Sequence, residues 1–308
     1  MKLSLEIPYV KLRFHTQIVS DTRMPASKVA ALRGGLGEML LRQNCICGRN
    51  CGTCRFQESC IVMHTFYSYM PKKPPYVTGK ESVGYLIECN DSTEEFREGS
   101  DFNFSLVLFG ESVVFFNLFF QAFLQLGIEG IGKWKARFRL KEVRNTEGKP
   151  IVCKGKVDMG LYKIENLADY VLGRKKELQA EGELYTMRFI TPLSMKYQQN
   201  YMRKFYSEAL INGVARRIQM LNYYMGQETE IPDFITYPVI TKQMAHHVTV
   251  KRYSSTQNTS MILHGIIGQI IFAEMTEECL ECLLAGEILH MGKNISFGFG
   301  QYILEKII

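Results

Sequence analysis

The alternation of polar and apolar residues near the start of the chain limits the possible folds more than any other sequence feature. Between Pro8 and Ser20, one side carries Lys11, Arg13, His15 and Gln17, and the other carries Leu12, Phe14 and Ile18. A period of two predicts a β-strand with one polar and one buried face. Residues 27–42 follow with the spacing of a helix, interrupted at Arg33-Gly34-Gly35. The chain therefore opens as a strand that leads into a helix.

The predicted elements follow a similar order in both halves of the chain. Residues 1–150 contain strands at 8–20, 102–108 and 133–141 and helices at 27–42 and 112–126, with a cysteine-rich segment at 45–60. Residues 185–308 contain strands at 184–193, 247–253, 261–273 and 301–307, helices at 202–224 and 277–286, and a glycine-rich loop before the last strand. We therefore predict an α+β protein with two tandem ferredoxin-like (RRM-like) domains, each β-α-β-β-α-β. The polar residues 151–184 are predicted to be a linker or an insertion.

The most apolar stretch of the chain spans residues 105–128. Within it, Asn117, Gln121 and Gln125 recur every four residues, which indicates one polar stripe on a buried helix and not a membrane span. The opening MKLSLEIPYVKLRF lacks the long apolar core of a signal peptide. We expect a cytoplasmic protein without a membrane partner.

The cysteines are concentrated in one segment. Of nine, five lie within 16 residues: Cys45, Cys47, Cys51, Cys54 and Cys60. In a reducing compartment such clusters more often bind metal than form disulfides. The spacing Cys45-x5-Cys51-x2-Cys54-x5-Cys60 suits a closed, structural zinc knuckle, with Cys47 left over. An iron–sulfur cluster or a set of reduced thiols are the alternatives.

A run of cations defines one face of the predicted strand 133–141. The face carries Lys133, Lys135, Arg137, Arg139 and Lys141, while Trp134 lies on the opposite, apolar face. One explanation of this cationic face is that it is a solvated edge of the sheet with no binding partner. Lys and Arg exceed Asp and Glu by 37 to 31, and residues 202–224 form a second basic element. This combination, together with aromatic residues such as Tyr253, favours a nucleic-acid partner.

The glycine-rich segment before the last strand could bring its main-chain atoms close to a phosphate. It reads His290-Met-Gly-Lys293-Asn294-Ile-Ser-Phe-Gly-Phe-Gly300, and it is not a Walker A loop because Asn294 replaces the Ser or Thr that meets magnesium. Its glycines allow close backbone approach, and Lys293 supplies a charge. A tight turn before the final strand is the alternative.

The chain shows no nucleophile elbow and no His/Asp metal-ligand motif. Phosphodiester chemistry would then be metal-independent, with an imidazole moving protons while a 2′-hydroxyl attacks its own phosphate. Only RNA carries that internal nucleophile.

Four stretches together resemble a known family: LRGGLGEMLLRQNC with the cysteines that follow, FITPLSMKY, KRYSSTQNTSMILHGIIGQIIF and ILHMGKNISFGFGQYIL. The chain resembles the CRISPR precursor-RNA processing endoribonucleases of the RAMP superfamily, the Cas6 family, in the branch with a cysteine knuckle. The resemblance implies tandem ferredoxin-like domains and cleavage within CRISPR repeats to release guide RNAs. It also implies 2′,3′-cyclic phosphate and 5′-hydroxyl ends, without a catalytic metal.

The basic face and the resemblance together indicate site residues. Those expected to bind RNA are Arg33, Lys133, Lys135, Arg137, Arg139, Arg252, Tyr253, Ser254, Gln257, Gly292, Gly298 and Gly300. Those expected to hold a structural Zn²⁺ are Cys45, Cys51, Cys54 and Cys60. Many family members use a histidine on or just after the first helix, but residues 27–42 contain none. We therefore expect His64 or His290 to transfer the proton and Lys293 to stabilise charge.

Two further functions stay open from the sequence. One is a non-catalytic RAMP subunit that binds or caps guide RNA within a multi-subunit CRISPR effector complex. The other is a structural zinc-knuckle protein that binds an unrelated RNA.

Overall fold

The chain divides into two units, seen in a computed structural model that describes residues 3–51, 53–70, 72–77, 82–178, 183–254 and 259–307. The first unit comprises Pro8–Ile164 and Arg252–Ser260. The second unit comprises Met1–Ile7, Glu165–Lys251 and Met261–Ile308. The change from one unit to the other at residue 164 lies inside the predicted linker 151–184.

The first unit is built on an antiparallel sheet. Its helices are α1 (Lys28–Asn44), α2 (Ile61–Thr65) and α3 (Phe116–Glu129), and its strands are β1 (Pro8–Ile18), β2 (Thr22–Arg23), β3 (Tyr85–Glu88), β4 (Glu95–Phe96), β5 (Asp101–Phe109), β6 (Phe138–Arg144), β7 (Pro150–Cys153) and β8 (Lys156–Val157). The sheet order is β3-β5-β1-β6-β7-β8. Its first four strands have the order 2-3-1-4 of a ferredoxin-like domain.

The second unit repeats this topology. Its helices are α4 (Leu167–Glu177), α5 (Ser207–Tyr224) and α6 (Glu277–Leu289), and its strands are β9 (Glu165–Asn166), β10 (Leu184–Phe189), β11 (Lys196–Tyr197), β12 (Asn200–Tyr201), β13 (Val239–Ser254), β14 (Thr259–Ala273) and β15 (Tyr302–Ile307). The main sheet has the order β13-β14-β10-β15, again 2-3-1-4. The predicted α+β fold of two tandem ferredoxin-like domains is confirmed.

The alternation in β1 has the predicted result. Its apolar side chains Leu12, Phe14 and Ile18 are buried, and Lys11, Arg13, His15 and Gln17 on the other face are partly or fully exposed. Phe14 stacks on Phe104 of β5 with ring centroids 4.9 Å apart, and Phe123 of α3 lies 5.1 Å from Phe14. The helices therefore cover one face of the first sheet, and the polar face of β1 lies opposite them.

The apolar helix α3 belongs to this core. The stretch Gly110–Glu129 is long and apolar enough to cross a membrane by composition alone, but Phe119 and Phe123 are at most 1% exposed inside the first unit. Asn117 and Gln121 of the predicted polar stripe are exposed. The helix is therefore the amphipathic core helix expected from the sequence.

The predicted basic strand 133–141 is wrong in its first half. β6 begins only at Phe138, and residues 131–136 form a turn closed by hydrogen bonds between Ile131 and Ala136. The cause is local backbone geometry: Gly130 and Gly132 have φ of +87° and +66°, and Lys135 has φ of +51°. These left-handed residues turn the chain. Lys133 and Lys135 are consequently not on one strand face with Arg137 and Arg139, and Trp134 is not on a buried face.

Other elements also differ from the prediction. β3 was not expected, because its four residues are all buried and show no alternation. Residues 151–184 contain β8 and α4. Helix α4 is held to α6 by Arg174, whose Nε donates to Glu287 Oε2 at 3.0 Å.

Candidate nucleic-acid interface

The glycine-rich loop between α6 and β15 has a backbone that only glycine tolerates at several positions. Gly292, Gly298 and Gly300 have φ of +88°, +87° and +79°. A Cβ on Gly292 would lie 2.7 Å from the carbonyl oxygen of Ser194, and one on Gly300 would overlap the carbonyl oxygen of Met291. The loop therefore depends on glycine both for dihedral angle and for space.

Hydrogen bonds fix this loop against the chain that follows β10. Lys293 N donates to Ser194 O at 2.6 Å, and Gly300 N donates to Pro192 O at 2.9 Å. The side chain of Lys293 is exposed. The loop thus presents a cation on a backbone held in place before any ligand binds, which suits phosphate contact.

His290 does not share that exposure. It ends α6 with φ of +57°, and its residue is 1% exposed. The predicted pair His290 and Lys293 is therefore divided in the structure, with the histidine inside the second unit and the lysine at its surface.

His64 lies in the first unit on α2 and is also largely enclosed. Its side chain is 15% exposed, and its Nε2 lies 2.5 Å from the carbonyl oxygen of Glu58. Since a carbonyl only accepts, Nε2 is the donor in this contact, and in the neutral ring the lone pair is then on Nδ1. Nδ1 has no hydrogen-bond partner among the described residues and lies 4.0 Å from Glu111 Oε2. This is the tautomer of a general base, in a buried setting.

Two arginines of the first unit form a second cationic site, which the sequence pattern left as separate candidates. Burial, and next the positive charge of Arg33, lower the pKa of Arg252. Arg33 donates to Ser82 Oγ at 3.2 Å, and its guanidinium lies 5.1 Å from the ring centre of Phe66. Two half-buried guanidiniums that repel each other would be stabilised by an anion between or beside them.

The segment that follows Arg252 was predicted to face RNA. The backbone of Tyr253 and Ser254 ends β13. Their side chains, and the whole of Gln257, lie outside the described residues.

The predicted cations of the 131–144 segment are exposed at the surface. Lys133, Lys135, Arg137 and Arg139 are all exposed. Arg139 Nη2 donates to Gln17 Oε1 of β1 at 3.0 Å. The basic surface therefore exists, but it combines a turn with the start of a strand.

His15 lies on the polar face of β1, where sequence reasoning had placed it. It pairs with Asn103 of β5 in the strand register. Burial, and next the charge of Arg13, lower the pKa of His15. The lowered pKa favours the neutral form of this imidazole.

The cysteine segment encloses a cavity of about 240 Å³ that all five of its cysteines line. Cys47 Sγ, the thiol that the spacing left over, lies 2.9 Å from Cys54 Sγ. Cys45 Sγ accepts from the amide of Arg49 at 3.3 Å, and Cys54 Sγ accepts from that of Phe56 at 3.4 Å.

These contacts shift the thiol pKa values in opposite directions. The hydrogen bond with Cys54 and the nearby thiols of Cys45 and Cys60 raise the pKa of Cys47 to about 11. The backbone amides of Cys47 and Arg49 lower the pKa of Cys45. Across the described ranges, no group of three or more histidine, cysteine or carboxylate residues is arranged to hold a metal ion.

Two family models match the chain, and together they span most of it. The model AF_1859_N, an N-terminal domain, matches residues 6–166. The model of the CRISPR-associated endoribonuclease Cas6 matches residues 187–302, which include the glycine-rich loop. Comparison with curated proteins finds no match.

Solved structures show the same fold. A chain of a partial Cas6-RT-Cas1–Cas2 complex matches with a TM-score of 0.60 and 13% identity, over 100% of this chain and 48% of that one. A Cas6 product complex matches with a TM-score of 0.54 and 12% identity, over 97% of this chain and 99% of that one. Thermus thermophilus Cas6 matches with a TM-score of 0.50 and 12% identity, over 97% of this chain and 98% of that one. The chain spans about half the length of the first of these relatives, or 30% in the more complete complex.

Proposed function

We propose that this chain, which matches AF_1859_N over residues 6–166 and the CRISPR-associated endoribonuclease Cas6 over residues 187–302, cuts CRISPR precursor RNA within the repeats to release guide RNAs. The main support is the glycine-rich loop. It lies within the matched endoribonuclease domain, and it offers an exposed lysine on a backbone that is already fixed. We expect this reaction in the cytoplasm.

The proposed chemistry uses the RNA's own 2′-hydroxyl. A base removes the 2′-hydroxyl proton, the oxygen attacks the adjacent phosphorus, and the 5′-oxygen leaves with a proton from an acid. The products are a 2′,3′-cyclic phosphate and a 5′-hydroxyl, and no metal takes part. Cations at the phosphate stabilise the extra charge of the phosphorane. Lys293 in the second unit and the pair Arg33 and Arg252 in the first unit are the candidates for that contact.

Of the two candidate histidines, His64 is the better proton-transfer group. Its tautomer leaves the lone pair on Nδ1, and a fraction of its side chain reaches solvent. His290 is 1% exposed, and its position at the end of α6 suits the positioning of the glycine-rich loop. For His64 to act, the ring needs to be uncovered when RNA binds.

The cysteine segment is proposed to hold a structural zinc ion. Thiolates are the ligands that zinc prefers in closed sites, and five thiols line one cavity. The 2.9 Å approach of Cys47 Sγ to Cys54 Sγ is shorter than the distance of about 3.8 Å that separates two thiolates on one tetrahedral zinc. This contact therefore does not select the ligands, and Cys45, Cys51, Cys54 and Cys60, the set expected from the spacing, stays the proposed one. A zinc ion there would cross-link the segment between α1 and α2 and would have no part in cleavage.

A second function has one observation in its favour. Both candidate histidines are largely enclosed, and α1 contains no histidine. A subunit that binds or caps guide RNA without cutting it would need neither an accessible base nor an acid.

We propose repeat RNA as the primary partner of this chain. A structural relative occurs in a Cas6-RT-Cas1–Cas2 complex, which supports the proposal that this chain also works within a multi-protein CRISPR assembly.

Cleavage of the host's own repeat RNA in EDTA tests the proposal. A matched substrate carries a single 2′-deoxy at the cut site. Cutting of the first and not the second is expected, and His64→Ala should abolish it while Lys293→Ala slows it. Tight binding with both RNAs left intact would reject the nuclease and leave the capping subunit.

A further inference from the structure

The only tryptophan of the chain lies at the surface. Trp134 is 47% exposed, although indole is among the costlier side chains to leave in water. It belongs to the turn 131–136 that precedes β6, in the first unit. Nothing in the alternation pattern placed it there, because the pattern put it on a buried strand face.

The turn holds Trp134 in a defined position. Ile131 and Ala136 are 2% and 0% exposed and anchor the turn. Their backbones exchange hydrogen bonds of 2.8 and 3.0 Å. Gly130, with φ of +87°, leaves no room for a Cβ because one would overlap the carbonyl oxygen of Lys135. The indole is therefore presented on a fixed support.

Cations surround the indole. The guanidinium carbon of Arg23 and Nζ of Lys133 each lie 5.9 Å from the ring centre. Lys135 in the same turn and Arg137 just after it are exposed. Arg23 also pairs with Glu95 at 3.4 Å, but both side chains are more than half exposed, so water screens this pair.

We propose that Trp134 is a stacking platform for an unpaired RNA base, with the cations of its turn on the neighbouring phosphates. An exposed aromatic ring inside a basic surface is the arrangement that binds single-stranded nucleic acid. The same cations disfavour an apolar protein partner, because their desolvation would be uncompensated. This inference rests on the proposed function, since it names a contact to the same RNA.

Because Trp134 is the sole tryptophan, fluorescence excited at wavelengths that tyrosine does not absorb reports on this site alone. The probe is a short single-stranded RNA from the host's repeat. Its addition should quench the fluorescence in a saturable way, with the same affinity that filter binding gives. Trp134→Ala should weaken binding by roughly 5- to 150-fold, as one stacked base is worth about 1–3 kcal/mol. Trp134→Phe should recover part of the loss.

The control is Val114→Ala, which removes a 74% exposed apolar side chain of the same unit and should leave affinity unchanged. Circular dichroism checks that each variant folds. Normal RNA binding with unchanged fluorescence and a neutral Trp134→Ala would overturn the stacking platform alone. Absence of any RNA binding by the wild-type chain would overturn the proposed function and this inference with it.

Discussion

Gly300→Ala tests whether the glycine-rich loop is held by backbone geometry. The new Cβ would overlap the carbonyl oxygen of Met291 and lie 2.9 Å from the carbonyl carbon and amide nitrogen of that residue. Those are backbone atoms, so no side chain can move aside. The loop has to shift, and it would lose the bonds from Met291 N to Gly300 O and from Gly300 N to Pro192 O, at 3.1 and 2.9 Å.

The magnitude follows from two costs. A left-handed φ costs an alanine about 1–2 kcal/mol, and each lost backbone hydrogen bond costs about 1 kcal/mol. The sum is about 3–4 kcal/mol, which in a domain of this size lowers Tm by roughly 2–4 °C per kcal/mol. Gly226→Ala is the matched control, because Gly226 lies in the same unit with φ of +78° and has no atom within 4 Å of the added Cβ. It should show only the dihedral cost.

Thermal unfolding followed by circular dichroism measures both variants, and RNA affinity is measured in parallel. Gly300→Ala should be the less stable variant and should bind RNA more weakly. Equal Tm shifts for the two variants would refute the argument that the loop needs the space at residue 300.

Three further predictions concern the remaining sites. Cys51→Ser should abolish zinc retention, measured by mass spectrometry of the metal, while Cys47→Ser retains it; the reverse result would exchange Cys51 for Cys47 in the ligand set. Arg33→Ala should weaken RNA binding and lower the salt dependence of log K by about one phosphate contact. Arg33→Lys is the control, since it keeps the charge but not the guanidinium geometry. An unchanged slope of log K against log salt would exclude a phosphate contact by Arg33. His15 has a lowered pKa in the folded state, so its contribution to stability is complete above the unfolded pKa near 6.5 and is lost as pH falls through the folded pKa. His15→Gln should flatten this loss of stability on the acid side, measured by urea titrations at pH 5 to 8. An unaltered pH profile of stability would contradict this role of His15.

The two-domain topology could be derived from the sequence because its signals are local. In β1 a period of two set the buried face, and the helices showed the spacing of buried positions on one side. The glycines of the loop before β15 were equally visible, since a left-handed backbone selects glycine wherever it occurs. Each of these features depends only on residues that are close in the sequence, so the sequence alone is enough to predict it.

Tertiary structure decided which side chains meet and which are accessible. The alternation at 133–141 is real in the sequence, yet the turn at 131–136 interrupts it and brings Trp134 to the surface. Spacing left Cys47 without a role, yet its Sγ lies 2.9 Å from Cys54 Sγ because the segment folds back. His290 is adjacent in sequence to an exposed loop and is nevertheless buried. Periodicity assigns a face to each residue, whereas exposure and pairing depend on atoms contributed by distant segments, and no local pattern encodes those.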